Sequence, residues 1–292
     1  SVKDKKLLSK STIFVSLEPC SHTGKTPPCA DLIIKSKIPH VVIGCQDPFG
    51  KVDGQGIKKL RDAGIHVEVG ILEKECKELI HRLYTFHTCK RPYIILKWAQ
   101  SKDGFIDKER NSGIPTTLST PLTSLLTQKR RAETSAIMVG RKTALLDNPQ
   151  LNVRAWYRHN PTRIVLDKNL SLNSDFHLFD QTIPTLVFNQ IKESDSTNNI
   201  RYIKLDFSQD ILPQIMDYLY QENTQSILIE GGATLHNSLI QNKLWDEIHI
   251  EYSNIIIGYG VKAPTPPKLE TALQERYFGH TFIKYINHKL LR

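Results

Sequence analysis

The sequence predicts an α/β protein built as two domains. Short apolar runs alternate with helical patterns along most of the chain, glycines or short polar links punctuate them, and 292 residues are enough for two cores of ordinary size.

The elements follow in order. TIFVSL from residue 12 reads as a strand, ADLIIKSK as a helix, HVVIGC as a strand, and GIKKLRDAG as a helix that Gly64 ends from the position just beyond it. HVEVG resumes the sheet two residues later, which suits βαβ links and parallel pairing, and EKECKELIHRLYTFH reads as one longer helix. Two basic residues and Pro92 precede a new strand, YIILKWA, so the domain boundary is expected near residue 91, giving domains 1–90 and 91–292.

In the second domain, Thr120 as N-cap and Pro121 at the first helical position predict a helix to about residue 133, with Leu122, Leu125 and Leu126 as its apolar face. SAIMVG, TRIVLD, TLVFN, SILIE, EIHIEY and HTFIKYI read as strands; ILPQIMDYLYQE and the stretch from Ala233 read as helices. NQIKESDSTNN and GYGVKAPTPPKLE are polar or rich in Gly and Pro and are expected to be loops.

Hydrophobic residues make up 39% and charged residues 24%, and no apolar stretch approaches the ~20 residues that span a bilayer. No export signal is read in SVKDKKLLSK, and five cysteines without a regular framework fit a reducing compartment, so a cytoplasmic protein is expected. The net charge of +9 is scattered rather than clustered, which argues against a nucleic-acid role and leaves no membrane partner to invoke.

SLEPCSHTGKTPPCADL places Cys20 and Cys29 in one loop, with His22 and Lys25 between them. Zinc-dependent deaminases hold a water-activating zinc on one His and two Cys, or on three Cys. Two cysteines cannot close a tetrahedral site, so the residues alone leave zinc open. In SILIEGGATLHNSLI, a strand turns through Gly231 and Gly232 into a helix, a geometry that brings backbone N–H groups close to a phosphate, although the turn alone is a weak signal and no G-x-G-x-x-G is present. Glu230 ends that apolar strand, where a carboxylate must be paired or functional.

LEPCSHTGKTPPC, QDPFGKVDGQGI and LRDAGIHVEVG resemble the deaminase half of the bifunctional riboflavin-biosynthesis deaminase/reductase family. YIILKWAQSKDGFI, SAIMVGRKTALLDNPQLNVR, PTRIVLD and IEGGATLHNSLI resemble its reductase half, in order. The resemblance runs over most of residues 12 to 255. It implies a truncated cytidine-deaminase-like α/β/α domain followed by a dihydrofolate-reductase-like α/β domain.

For the first domain the resemblance implies Cys20 and Cys29 as zinc ligands, and Lys25 and Asp47 as contacts to the deaminase substrate. The third zinc ligand and the proton-shuttling Glu belong to an upstream His-Ala-Glu triplet expected to fall before Ser1, so the chain as written is expected not to deaminate. For the second domain it implies NADPH-dependent reduction of a phosphorylated ribosylaminopyrimidine, opening ribose to ribitol. Ala99, Thr143, Asp147, Gly232, Ala233, Thr234, Leu235, His236, Asn237 and Ser238 match cofactor contacts; Arg131, Leu151, Arg154 and Glu230 match substrate contacts; Lys97 matches a lysine facing the reaction centre and, with Glu230, is the expected catalytic group.

Two departures bear on cofactor affinity: Thr117 stands where the family carries Trp, and Lys168 where it often carries Ser. The family's tendency implies a homodimer or homotetramer. The alternative reading is a reductase alone, with the first domain a non-catalytic oligomerisation scaffold.

Overall fold

Thr12–Leu17 (β1) alternates exposed and half-buried residues, the period of a strand with one face on a core. In the computed structural model, which describes residues 2–23, 26–50, 52–111, 113–157, 159–268 and 272–287 and only the backbone of 195–197, it lies in the first of two compact units, Ser1–Lys90 and Arg91–Leu290.

In the first unit, β1 is followed by Cys29–Lys35 (α1), His40–Cys45 (β2), Gln55–Asp62 (α2) and His66–Val69 (β3). The strands form a parallel sheet in the order β1-β2-β3. Ala30 and Ile33 of α1 and Ile57 and Leu60 of α2 bury against Val41, Ile43 and Val67, so both helices cover one face. Gly64, at φ +78°, follows α2 in the left-handed position that a residue with a Cβ resists.

The single helix expected over EKECKELIHRLYTFH is two helices, Glu73–Leu79 (α3) and His81–Cys89 (α4), separated at Ile80 (φ −105°, ψ 16°). Hydrogen bonds bridge the interruption, Ile80 N–H to the Cys76 carbonyl at 3.3 Å and Tyr84 N–H to the Ile80 carbonyl at 2.9 Å. A helical period therefore reads straight through a break that only backbone dihedrals reveal.

The second unit opens with Tyr93–Gln100 (β4), Phe105–Asp107 (β5) and Pro121–Ala132 (α5), then Ala136–Gly140 (β6), Arg141–Asp147 (α6), Thr162–Leu166 (β7) and Thr185–Asn189 (β8). Ser194–Thr197 (β9), Ile200–Lys204 (β10), Ile211–Gln221 (α7), Ser226–Ile229 (β11) and Ala233–Gln241 (α8) follow, and Glu247–Tyr252 (β12), Val261–Lys262 (β13), Ala272–Tyr277 (β14) and His280–Ile286 (β15) complete it. Among the described residues ten strands form one mixed sheet in the order β14-β15-β12-β4-β11-β6-β7-β8-β10-β9, and β13 pairs with β5. From β12 to β10 neighbouring strands are parallel; β14, β15 and β9 add antiparallel edges.

Strand β4 shows why both faces are covered. Ile94, Leu96 and Trp98 enter a core with Leu212, Ile215 and Leu219 of α7 and Leu235 and Leu239 of α8, while Tyr93 and Ile95 point the other way, to Val139, Leu228 and Ala144 of α6. Among the described residues no helix is long and apolar enough to cross a membrane.

Three local expectations are corrected. Leu122 and Leu125 of α5 are exposed, and the helix buries Thr123, Thr127, Gln128 and Ala132 instead. The start is the expected one, Thr120 accepting from Thr123 N–H with Pro121 behind it, but the sheet beneath carries Glu251, which accepts a hydrogen bond from Ser119 Oγ at 2.7 Å, so a polar helix face meets a polar sheet surface. The two expected loops each contain a strand, β9 and β13. Both pair at a margin through backbone groups, which requires no apolar alternation in the sequence.

Candidate active site

The second unit holds a cavity of about 860 Å³ at the carboxyl ends of its parallel strands. Lys97 and Ala99 of β4, Gly140 at the end of β6, Leu166 and Lys168 around the end of β7, and Glu230 and Gly232 after β11 line it, with residues of α5, α6 and α8. Open parallel sheets bind ligands at this end because loops and helix starts converge there.

The turn into α8 is shaped by close packing. A Cβ on Gly231 would lie 2.9 Å from both Thr143 Cγ2 and Val139 Cγ1, and Gly232 sits at φ +78°, so each glycine is needed for a different reason. Gly232 caps α8 without a side-chain hydrogen bond, and Ala233, Thr234 and Leu235 in the first turn all line the cavity. Free N–H groups with the positive end of the helix dipole fit the phosphates of a dinucleotide. His236 fastens the turn from behind, its Nδ1 3.0 Å from the Gly232 carbonyl and its Nε2 3.2 Å from the Ile229 carbonyl; burial pushes its imidazole below the ordinary range. Ser238 also lines the cavity, whereas Asn237 does not; Asn237 Oδ1 accepts from Thr265 N–H at 3.3 Å.

Beside this turn, starting at Glu230, lies a group of buried charges. Arg131 donates twice to Glu230, from Nε to Oε1 at 2.8 Å and from an Nη to Oε2 at 2.6 Å, and its other Nη donates to the Asn152 carbonyl at 3.1 Å. Burial acts to raise the Glu230 carboxyl, but Arg131, Lys97 and Arg130 outweigh it and hold the group below the usual carboxylate range. Burial drives the Lys97 ammonium below the ordinary lysine range, against the pull of Glu230 and Glu251. Lys97 therefore faces the cavity as a destabilised cation flanked by two carboxylates. Glu251 is held by Ser119 Oγ and by His280 Nδ1, each at 2.7 Å.

The remaining candidates are placed as follows. Thr143 and Asp147 line the cavity, but Asp147 is ion-paired to Arg110, which also binds Asp107 at 2.6 Å and the Leu146 carbonyl at 3.0 Å. Arg110 thus braces that wall, a role the residue order alone did not suggest. Leu151 is buried in the core at φ +47° and lines no part of the cavity. Arg154 is exposed, off the cavity wall, bonding Asn152 Oδ1 at 3.0 Å while its N–H reaches Gln128 Oε1 at 3.0 Å. Gln128 and Asn152 therefore tie Arg131 and the 151–154 segment together beside the cavity. Both departures from the family pattern, Thr117 and Lys168, line the wall.

In the first unit, Cys29 N–H donates to Cys20 Sγ at 3.2 Å, and a side-chain hydrogen bond with Cys20 raises the Cys29 thiol above its ordinary range, so the two thiols of the loop do meet. Among the described residues no third His, Cys, Asp or Glu joins them at ligand distance. His22 stands edge-on to Phe49 instead, at 5.9 Å between ring centroids. Two thiols alone do not make a zinc site. Lys25 lies outside the described residues. Asp47 is buried, accepts from Phe49 N–H at 2.9 Å, and has its carboxyl raised by burial.

Glu18, unremarked in the sequence, organises this region. Its buried carboxylate accepts from the N–H groups of Asp47, Gly54, Gly56 and Ile57, at 2.8 to 3.2 Å, and so caps α2 from a distant strand end. A Cβ on Gly56 would lie 2.0 Å from the Pro19 carbonyl oxygen, which makes glycine obligatory there.

Comparison with known proteins decides the family. The sequence model described as RibD C-terminal domain matches residues 92–281, nearly the whole second unit. The chain belongs to the RibD family. It is 37% identical to the riboflavin biosynthesis protein RibD of Chlamydia pneumoniae over 263 residues, 86% of this chain and 69% of that one, and 34% identical to RibD of Bacillus amyloliquefaciens over 89% and 71%. Among solved structures, a diaminohydroxyphosphoribosylaminopyrimidine deaminase/5-amino-6-(5-phosphoribosylamino)uracil reductase from Thermotoga maritima matches with a TM-score of 0.83 at 34% identity, over 94% of this chain and 78% of that one. RibD of Acinetobacter baumannii matches at 0.82 with 26% identity, over 97% and 82%. Membership in the RibD family makes this a riboflavin-biosynthesis enzyme whose second unit is the RibD reductase domain, and the cavity lies in that domain.

Proposed function

We propose that residues 91–292 form an NADPH-dependent reductase, dihydrofolate-reductase-like in fold, that converts 5-amino-6-(5-phosphoribosylamino)uracil to its ribitylamino form. The observation that carries this reading is one cavity lined both by the N-terminus of α8 and by Lys97 and Glu230, with Arg131 paired to Glu230. The name printed for the Thermotoga protein supports the choice of substrate.

NADPH, when bound at the start of α8, would supply the hydride. The residues around it bind, orient and move a proton. Amides of Ala233, Thr234 and Leu235 would hold the pyrophosphate, and Arg141, Lys142 and Lys168, which also line the cavity, would offer positive charge to the cofactor's remaining phosphate. Reduction of the ring-opened imine adds hydride at the sugar C1 and leaves the nitrogen in need of a proton. Lys97 supplies it, its ammonium weakened by burial, while Glu230, fixed by two hydrogen bonds from Arg131, accepts from a sugar hydroxyl. Three of the five Arg131 donors are engaged with Glu230 and the Asn152 carbonyl, so Arg131 acts by holding the Glu230 carboxylate in place.

Residues 1–90 are read as part of the cytidine-deaminase-like domain of the family. The three-stranded parallel sheet with α1 and α2 on one face supports that reading. Catalytic deamination by this chain finds no support, since Cys20 and Cys29 stand without a third ligand among the described residues. Nor does any structural feature favour the scaffold-only alternative.

The test is spectrophotometric: the purified chain is mixed with NADPH and the phosphoribosylaminouracil, and NADPH oxidation is followed. Turnover is expected, with kcat lowered by about 10²–10⁴ in Lys97→Met. No oxidation by the parent protein overturns the assignment, and an unchanged kcat in Lys97→Met removes Lys97 as the donor.

A further inference from the structure

We propose that His40, His66 and Glu68 form a binding site for a divalent transition-metal ion on the first unit's sheet, separate from Cys20 and Cys29. The three lie on neighbouring strands, and strand geometry brings them together. His66 and Glu68 are two residues apart on β3 and so leave it on the same face; His40 of β2 pairs directly with His66 in the parallel register. One ligand atom from each lies within 4.8 Å of the others. His40 Nε2 stands 2.8 Å from Glu68 Oε1, and His66 Nδ1 is 4.0 Å from the same oxygen. The two imidazole rings are 4.8 Å apart between centroids.

An ion bound tetrahedrally at about 2.0–2.2 Å separates its ligand atoms by roughly 3.3–3.6 Å, a spacing that the 2.8 Å and 4.0 Å contacts bracket while all the ligand atoms lie within 4.8 Å. Thr12 of β1 stands behind the site with Oγ1 3.2 Å from His40 Nδ1, a hydrogen bond that turns Nε2 towards Glu68 and His66, as outer partners of metal-binding histidines do. Beneath, Val41, Ile43 and Val67 are buried in the core, which fixes the strand spacing on which the trio depends. Two imidazoles and one carboxylate suit zinc, cobalt or nickel rather than magnesium or calcium, and three protein ligands leave a position for water.

The trio also contains an H-x-E triplet, His66-Val67-Glu68, and a second one occurs at His249-Ile250-Glu251. Both lie on strands, and neither groups with Cys20 and Cys29 at ligand distance among the described residues.

The test uses the full chain carrying Cys20→Ser and Cys29→Ser, stripped of metal and titrated calorimetrically with Zn²⁺. One site is expected, weakened at least about tenfold by adding His66→Ala or Glu68→Gln, because each removes or neutralises a direct ligand. The His66 side chain is 72% exposed, so its replacement leaves folding intact, and circular dichroism verifies this. Co²⁺ in place of Zn²⁺ is expected to give visible d–d bands of the same stoichiometry, lost in His66→Ala. Zn²⁺ affinity unchanged by both substitutions, or no binding once the cysteines are replaced, overturns the proposal.

Discussion

Replacing Glu230 with Gln tests the charge arrangement at the cavity most directly. The substitution preserves shape but leaves Arg131, Lys97 and Arg130 without the carboxylate that offsets them. Breaking one side of a buried ion pair costs about 3–5 kcal/mol, and because the two side chains keep roughly a tenth of their surface open, and Gln still accepts one hydrogen bond, about 2–3 kcal/mol is expected here. All three tryptophans, Trp98, Trp156 and Trp245, lie in the second unit, so urea unfolding followed by tryptophan fluorescence reports that unit alone. With an m-value of about 2.5 kcal/mol/M the midpoint should fall by roughly 1 M. A second readout separates charge from packing. Glu230 helps keep Lys97 protonated, so its loss lowers the Lys97 pKa further, and the alkaline limb of the kcat profile should move to lower pH. A midpoint within about 0.2 M of the parent, with an unmoved alkaline limb, would refute the claim that this pair is buried and coupled to Lys97.

Gly231→Ala places a methyl 2.9 Å from Thr143 and Val139, and an overpacking cost of about 1–3 kcal/mol with weakened NADPH binding is expected by unfolding and fluorescence titration. Burial drives the His249 imidazole down to about 4 despite the hydrogen bond to Glu247, so the unfolded chain takes up a proton that the folded one refuses. Its contribution is present above the unfolded pKa of about 6.5 and is lost as pH falls towards 4; His249→Asn should flatten stability across that window by about 1–3 kcal/mol in denaturation series. Lys168→Ala should raise the Kd for NADPH several-fold more than that for NADH, measured by nicotinamide fluorescence; equal effects would place Lys168 away from the cofactor's extra phosphate.

What could be read from the residues alone was what local chemistry encodes. Thr120 and Pro121 announce the start of α5, Gly64 marks the end of α2, and apolar runs such as YIILKWA and SILIE give β4 and β11. The GG turn before α8 was visible too, although the clash that demands Gly231 comes from Thr143 and Val139, far away in sequence. Tertiary structure alone decided which face of α5 is buried, because Thr123 bonds Glu251 of the sheet and Gln128 bonds the Arg154 N–H, partners that no helical period predicts. It also decided the pairing of Arg131 with Glu230 across 99 residues, the bracing of Asp147 by Arg110, the capping of α2 by Glu18, and the meeting of His40 with His66 and Glu68. Periodicity and caps act within a turn or two of the chain, whereas a buried charge takes whichever partner the folded sheet brings within hydrogen-bonding distance.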